Sequence, residues 1–290
     1  LAAGGLAMII PPSAMAIIVG TIGEISIRAV LIGGIVPGIL LSIGFITYYV
    51  VRGIAFPKEA PLYDVKFDSL KEKLISFFRD VFPLSFLIFA VVGFIFIGFA
   101  TPTESAAVGV VGAYIIAFAY RKMTWNIFEE SLLGAVKTSG MILMIMAGAI
   151  GFSQFLSFTG AARELAILVT NLQVAPILIV IVMLIIVTIM GCFLEQSAIL
   201  MIVIPLFMPL IKALEFDPVW FGILLLINVC LANLTPPFGL ALFVLKGVAQ
   251  EYSLIDIIRD SIPVVAIMIA ITLLILFIPS IATWLPEQMF

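Results

Sequence analysis

Two stretches decide how this chain is read. One is Leu6-Ala7-Met8-Ile9-Ile10-Pro11-Pro12-Ser13-Ala14-Met15-Ala16, and the other is Leu231-Ala232-Asn233-Leu234-Thr235-Pro236-Pro237-Phe238-Gly239-Leu240-Ala241. Each sets a proline pair inside an apolar run. They stand about 225 residues apart, and both lead to a Glu-x-Ser-aliphatic step, Glu24–Ile27 and Glu251–Leu254. Both then enter an apolar segment with an early proline, Pro37 and Pro263. A motif of this kind, repeated, predicts an internal duplication.

The surroundings say what kind of protein carries it. Of 290 residues, 64% are hydrophobic and 11% are charged, with a mean hydropathy of +1.33. Soluble domains carry about 25% charged residues. The composition therefore excludes a water-soluble globule, a disordered chain and a nucleic-acid binder. A helical span needs roughly 20 apolar residues, so the length allows about eight to ten crossings. The expected fold is an all-α polytopic membrane protein. There is no histidine, which removes His-ligated metal centres and a Ser-His-Asp triad. Two cysteines, Cys192 and Cys230, lie in apolar runs and read as small buried residues.

Lys and Arg fix an orientation. Arg52, Lys58, Lys66, Lys71, Lys73 and Arg79 cluster between residues 52 and 80, which places that stretch on the cytoplasmic side. Arg121, Lys122 and Arg259 follow on the same side, and the C-terminal Leu285–Gln288 falls outside. Lys66 to Val81 reads as an amphipathic helix in the interface. In the turn Thr101-Pro102-Thr103-Glu104, Thr103 is the expected cap of the next helix. By this orientation the two proline motifs point in opposite senses, which is an inverted-topology repeat, a plan common among secondary transporters. Residues 1–51 are then the tail of the first repeat, 52–80 a linker, and 81–290 the second repeat. On that logic the natural protein is expected to extend roughly 140 residues before Leu1.

Proline lacks an N–H and clashes with the carbonyl four residues back. Pro11 and Pro12 free the carbonyls of Ala7 and Met8; Pro236 and Pro237 free those of Ala232 and Asn233. A bare carbonyl in hydrocarbon costs several kcal/mol unless a donor or a cation meets it. A desolvated Na⁺ seeks such oxygens, and Ser13, Asn233 and Thr235 add side-chain donors. Glu195, in Met190-Gly191-Cys192-Phe193-Leu194-Glu195-Gln196-Ser197, is a carboxylate among apolar residues. Buried acids in membranes are functional candidates; the alternative is a carboxylate at a helix end that reaches water.

The residues then resemble a known family. The stretches AAGGLAMIIPPS (2–13), GGIVPGIL (33–40), GFATPTESAAVG (98–109), GCFLE (191–195), DPVWFG (217–222) and LTPPFGLALFV (234–244) are similar, in order, to the large membrane permease subunit of tripartite ATP-independent periplasmic (TRAP) transporters, of the ion-transporter superfamily. Ala7 and Ala232 stand where that family has glycine. The resemblance implies an elevator-type, Na⁺-coupled importer of organic acids, such as C4-dicarboxylates or sialic-acid-like solutes, built on helical hairpins and broken helices. It implies one Na⁺ site at Ala7, Ile10 and Pro12. It implies another at Gly191, Glu195, Ala232, Thr235 and Phe238, extended by Thr188. Solute contacts are expected from Ser13, Asn233, Pro236 and Pro237. It also implies a small four-span membrane partner, a periplasmic solute-binding protein and a location in a bacterial or archaeal inner membrane. No cofactor is expected beyond Na⁺ as coupling ion, and no nucleic-acid partner. A stand-alone Na⁺- or H⁺-coupled dicarboxylate carrier is the alternative reading. An intramembrane enzyme lacks support, because no nucleophile motif or second acid accompanies Glu195.

Overall fold

The computed structural model describes residues 2–57, 69–160, 164, 167–169, 171, 174–236 and 239–289. Among the described residues every regular element is helical. In chain order these are α1 (Ala2–Leu6), α2 (Ala14–Ile22), α3 (Ile27–Gly33), α4 (Ile35–Ala55), α5 (Leu70–Ser76), α6 (Phe82–Phe96), α7 (Pro102–Ala119) and α8 (Trp125–Thr159). Then follow α9 (Pro176–Gly191), α10 (Gln196–Ala213), α11 (Pro218–Leu234), α12 (Leu240–Val248), α13 (Leu254–Phe277) and α14 (Ser280–Glu287). Among the described residues six helices are long and apolar enough to cross a membrane, and α9 and α11 are shorter apolar helices. The protein is an all-α, multi-pass membrane protein.

The helices form two compact units, Leu1–Phe45 with Gly140–Phe290, and Ile46–Ser139. Contacts thus group the chain differently from the repeat segments 1–51, 52–80 and 81–290, which sequence resemblance defines.

The first unit is built around α11. Trp220, Phe221, Ile223, Leu224, Leu225 and Ile227 are all 0% exposed, so this helix is buried and, Asn228 and Asn233 apart, apolar around its circumference. Asp217 caps its start by accepting from the Trp220 N–H at 2.8 Å, and Trp220 Nε1 donates to the Ile275 carbonyl of α13 at 2.8 Å. α2, α3, α9, α10 and α13 pack on it. Close approaches mark the first proline break. A β-carbon at Gly34 would collide with the Ile9 carbonyl oxygen, and one at Gly5 with the Cys230 sulfur.

The two proline motifs share a local plan. Each interrupted segment continues into a nine-residue helix, α2 or α12. Each then reaches a serine cap: Ser26 accepts from Ala29 N–H before α3, and Ser253 from Asp256 N–H before α13.

In the second unit α6 packs on α7. α5 runs into α6 through a π-helical turn at Phe77–Val81, so Leu70–Phe96 is one continuous helical stretch, with Lys71, Glu72, Lys73, Arg79 and Asp80 in its first part. The expected amphipathic helix from Lys66 begins instead at Leu70, where Ser69 and Glu72 form a capping box. Lys58, Lys66 and residues 67–68 lie outside the described residues. The cap of α7 is Thr101, not Thr103: Thr101 and Glu104 satisfy each other's backbone N–H groups, and Pro102 takes the first helical position, where no N–H is needed.

Gly34→Ala should lower the thermal midpoint of the purified protein by the cost of overpacking, about 1–3 kcal/mol. Gly134→Ala should leave the midpoint unchanged or raise it, since nothing lies within 4 Å of that position. Differential scanning fluorimetry of both variants checks this, and equal midpoints would contradict the packing at Gly34.

Candidate functional site

The first break lies between α1 and α2. α1 ends at Leu6, whose carbonyl accepts from both Ile9 N–H (3.0 Å) and Ile10 N–H (2.8 Å). The chain cannot continue as helix because Pro11 and Pro12 offer no N–H to Ala7 and Met8. Ser13, 2% exposed, resolves half of that deficit. Its hydroxyl donates to the Met8 carbonyl and accepts from Ala16 N–H at 3.1 Å, so it also caps α2. Among the described residues no hydrogen bond reaches the Ala7 carbonyl. Ala7 and Pro12 are exposed, and Ile10 is half-buried against Gly38.

The second break follows α11. Thr235 folds back onto its own helix: its N–H donates to the Ala232 carbonyl at 3.1 Å and its hydroxyl to the Leu231 carbonyl at 2.8 Å. The Thr235 hydroxyl oxygen keeps lone pairs for another partner. Asn233 Oδ1 accepts from Ala241 N–H at 3.3 Å, bridging the break to α12. The Asn233 carbonyl, orphaned by Pro237, receives no hydrogen bond among the described residues. Pro236 is exposed. Pro237 and Phe238, expected at this site, lie outside the described residues.

The end of α9 meets this break. A β-carbon at Gly191 would collide with the methyl group of Ala232, which is itself 0% exposed. Only glycine permits that approach. Next to it the Cys192 sulfur lies 3.4 Å from the Thr188 carbonyl, 3.8 Å from that of Thr235 and 3.6 Å from that of Pro236. Three main-chain oxygens thus converge on one small side chain. Sequence reasoning treated Cys192 only as a filler; no local pattern marks a thiol as the meeting point of two chain segments distant in sequence.

Thr188, Gly191, Ala232, Thr235 and Pro236 are therefore brought together. Glu195 is placed differently. It is exposed and caps α10, its Oε2 accepting from Ser197 N–H (2.9 Å), Ala198 N–H (3.3 Å) and the Ser197 hydroxyl. A negative charge at a helix start also meets the positive end of the helix dipole. Ala7, Ile10, Pro12 and Ser13 belong to the first break, and Ser13 turns inward to Met8 rather than toward Asn233.

A cavity of about 450 Å³ joins the two breaks. Gly4, Gly5 and Met8 line one side, and Cys230, Asn233 and residues of α12 the other. Among the described residues no charged side chain lines it. Two glycines and a methionine leave room on one wall, and the Asn233 amide is the polar feature of the opposite one.

Glu195→Ala should destabilise the protein by about 1 kcal/mol through loss of the cap, and Glu195→Gln by less, since the amide oxygen still accepts. Thermal midpoints measured in K⁺ buffer, free of Na⁺, check this; equal midpoints for wild type and Glu195→Ala would remove the capping role.

Residues 1–281 match the family model described as tripartite ATP-independent periplasmic transporter, DctM component. The chain is 33% identical to the C4-dicarboxylate TRAP transporter large permease protein DctM of Pseudomonas aeruginosa, over 98% of this chain and 66% of that protein. It is 29% identical to the 2,3-diketo-L-gulonate TRAP transporter large permease protein YiaN of Escherichia coli, over 97% of this chain and 65% of that protein. Against the sialic acid TRAP transporter large permease protein SiaM of Vibrio cholerae the identity is 28%, over 96% of this chain and 64% of that protein. The chain spans just under two thirds of the length of these relatives.

Proposed function

This chain belongs to the DctM-component family of tripartite ATP-independent periplasmic transporters, and from that premise we propose that it is the membrane subunit of a Na⁺-coupled importer of organic acids. The observation that carries this reading is the set of main-chain oxygens at the two breaks. The Ala7 and Asn233 carbonyls have no donor among the described residues, and those of Thr188, Thr235 and Pro236 converge on Cys192. Unwound carbonyls in a membrane are stable when a cation meets them.

Na⁺ would be held at the first break by Ala7, Ile10 and Pro12, and at the second by Gly191, Ala232, Thr235 and Phe238, with Thr188 beside them. The Thr235 hydroxyl, its proton committed to Leu231, offers an oxygen to the ion. Glu195 acts here through the field of its charge and through α10, which it caps. The cavity between the breaks is the proposed place of the solute. Among the described residues its lining carries no cationic side chain, and bound Na⁺ would supply positive charge for an organic acid there, tying solute binding to the ion. The relatives are named for C4-dicarboxylate, sialic acid and 2,3-diketo-L-gulonate, and these names support an organic acid as solute.

The family also supports two partners, a small membrane subunit and a periplasmic solute-binding protein that delivers the solute, and an inner-membrane location; the Lys and Arg distribution supports a C-terminus outside. The shared plan of the two proline motifs supports an inverted repeat that works as an elevator.

Uptake into proteoliposomes holding the full-length permease, its small subunit and its binding protein should collapse when external Na⁺ is replaced by K⁺. Uptake unchanged by that exchange would overturn the coupling. Thr235→Val should raise the Na⁺ concentration for half-maximal uptake several-fold, as expected for loss of one hydroxyl contact; an unchanged value would confine the site to main-chain oxygens.

A further inference from the structure

Asn228 has no part in the assignments above. It lies on α11 and is 4% exposed, within two turns of the helix end at Leu234. Its Nδ2 donates to the Leu184 carbonyl of α9 at 2.7 Å, and its Oδ1 accepts from the Thr188 hydroxyl of α9 at 3.1 Å. The Thr188 hydroxyl also lies 2.9 Å from the Leu184 carbonyl. One amide thus joins α11 to α9 through two partners a turn apart. Everything else at this level of the pair is apolar: Val180, Met183, Val187, Leu224 and Leu231 are buried around it.

An apolar contact between two helices in a membrane has no hydrophobic drive and tolerates sliding, because one methyl-lined ridge packs much like the next. A buried amide with named partners does not. Shifting α9 by one residue against α11 would leave the Asn228 amide facing side chains with no acceptor or donor, at the cost of an unsatisfied polar group. Asn228 therefore fixes the register of the pair. That register decides what meets beyond it. Gly191 abuts Ala232, and the Thr188, Thr235 and Pro236 carbonyls close on Cys192. The distance from lock to break is short and wholly helical, so a slip at Asn228 is transmitted without loss.

The geometry points to Asn228 as a positioning residue for the second cation site: its amide holds α9 and α11 in the register that brings the Thr188, Gly191, Ala232 and Thr235 main-chain groups together. This rests on the Na⁺ reading given above. Asn228 itself touches no ion. Its two interhelical bonds use its oxygen and one N–H, and it sits on the far side of Thr188 from the Cys192 cluster, in the wall of a separate apolar groove of about 300 Å³ shared with Thr272.

The test separates register from mere stability. A ligand that binds only the folded state raises the thermal midpoint by mass action, so midpoints of the full-length protein titrated with NaCl at constant ionic strength, balanced with KCl, yield a half-saturating Na⁺ concentration. A wild-type midpoint that does not respond to Na⁺ would overturn the Na⁺ reading and this inference with it. Given a wild-type response, Asn228→Leu should raise the half-saturating Na⁺ about tenfold, the scale of losing an interhelical hydrogen-bond pair. Thr188→Val, nearly the same shape, should raise it by about threefold on the same basis and serves if Asn228→Leu does not fold. The double variant should be no worse than Asn228→Leu alone, because both remove one network. Thr272→Val removes a hydroxyl bonded only within its own helix, to Met268, and should leave the value unchanged. Midpoints lowered equally in Na⁺ and K⁺, with the half-saturating Na⁺ unchanged in both Asn228→Leu and Thr188→Val, would overturn the positioning role while leaving the Na⁺ reading intact.

Discussion

A carbonyl oxygen in hydrocarbon must have a partner, and the first unit is organised around that demand. Two proline pairs take the partner away at chosen places, and the chain answers differently at each. At the first break Ser13 repairs Met8, and among the described residues the Ala7 carbonyl has no donor. At the second, Thr235 repairs Leu231 and Ala232, and among the described residues the Asn233 carbonyl has no donor. Side-chain caps close the starts of the helices that follow or flank them, at Ser13, Ser26, Asp217 and Ser253.

Packing explains how such breaks persist. α11 is buried along most of its length. Gly191 and Gly34 allow backbone to approach backbone or a methyl group where a side chain would not fit. Deeply buried apolar contact supplies the stability, and the interrupted segments at its margin are held in irregular conformations by it. The second unit is of another kind. Its helices are apolar but bury little of themselves within it: 11% of the spanning window of Leu70–Phe96 and 6% of that of Pro102–Ala119, against 61% for Gln196–Ala213. Such apolar surfaces suit contact with lipid.

The membrane fold was legible because composition and run length are direct consequences of the bilayer. The breaks were legible because proline acts on the backbone within four residues, a local effect that needs no tertiary information. What escaped was set by neighbours distant in sequence. Cys192 looked like a filler because its three carbonyl contacts come from both α9 and the segment after α11. Asn228 was visible as a polar residue in an apolar helix, yet its partners Leu184 and Thr188 are about forty positions away. At α7 the error was local: Thr101-Pro102-Thr103-Glu104 offers two threonines, and both the preference of proline for the first helical position and the Thr-x-x-Glu spacing of a capping box select Thr101 over Thr103. Glu195 was read as a charge among apolar residues. Its two readings, buried ligand and helix-end carboxylate, differ by exposure, which sequence does not fix; the structure makes it exposed and a cap.

The choice of neutral groups near the second break follows from the same demand. A carboxylate buried between α9 and α11 would cost several kcal/mol whenever no cation faced it. Under the proposed cycle the ion leaves on every turnover, so such a charge would be stranded once per cycle. Amide and hydroxyl groups carry no such penalty, because Asn228 and Thr188 satisfy each other and Leu184 whether or not an ion is present. The charge that the segment does carry, Glu195, sits at the exposed start of α10, where helix amides hydrogen-bond it. Geometry is thus held by neutral dipoles in the interior and by an amide-bound anion at a helix start. An ion bound to main-chain oxygens in that frame can come and go without leaving a buried charge behind.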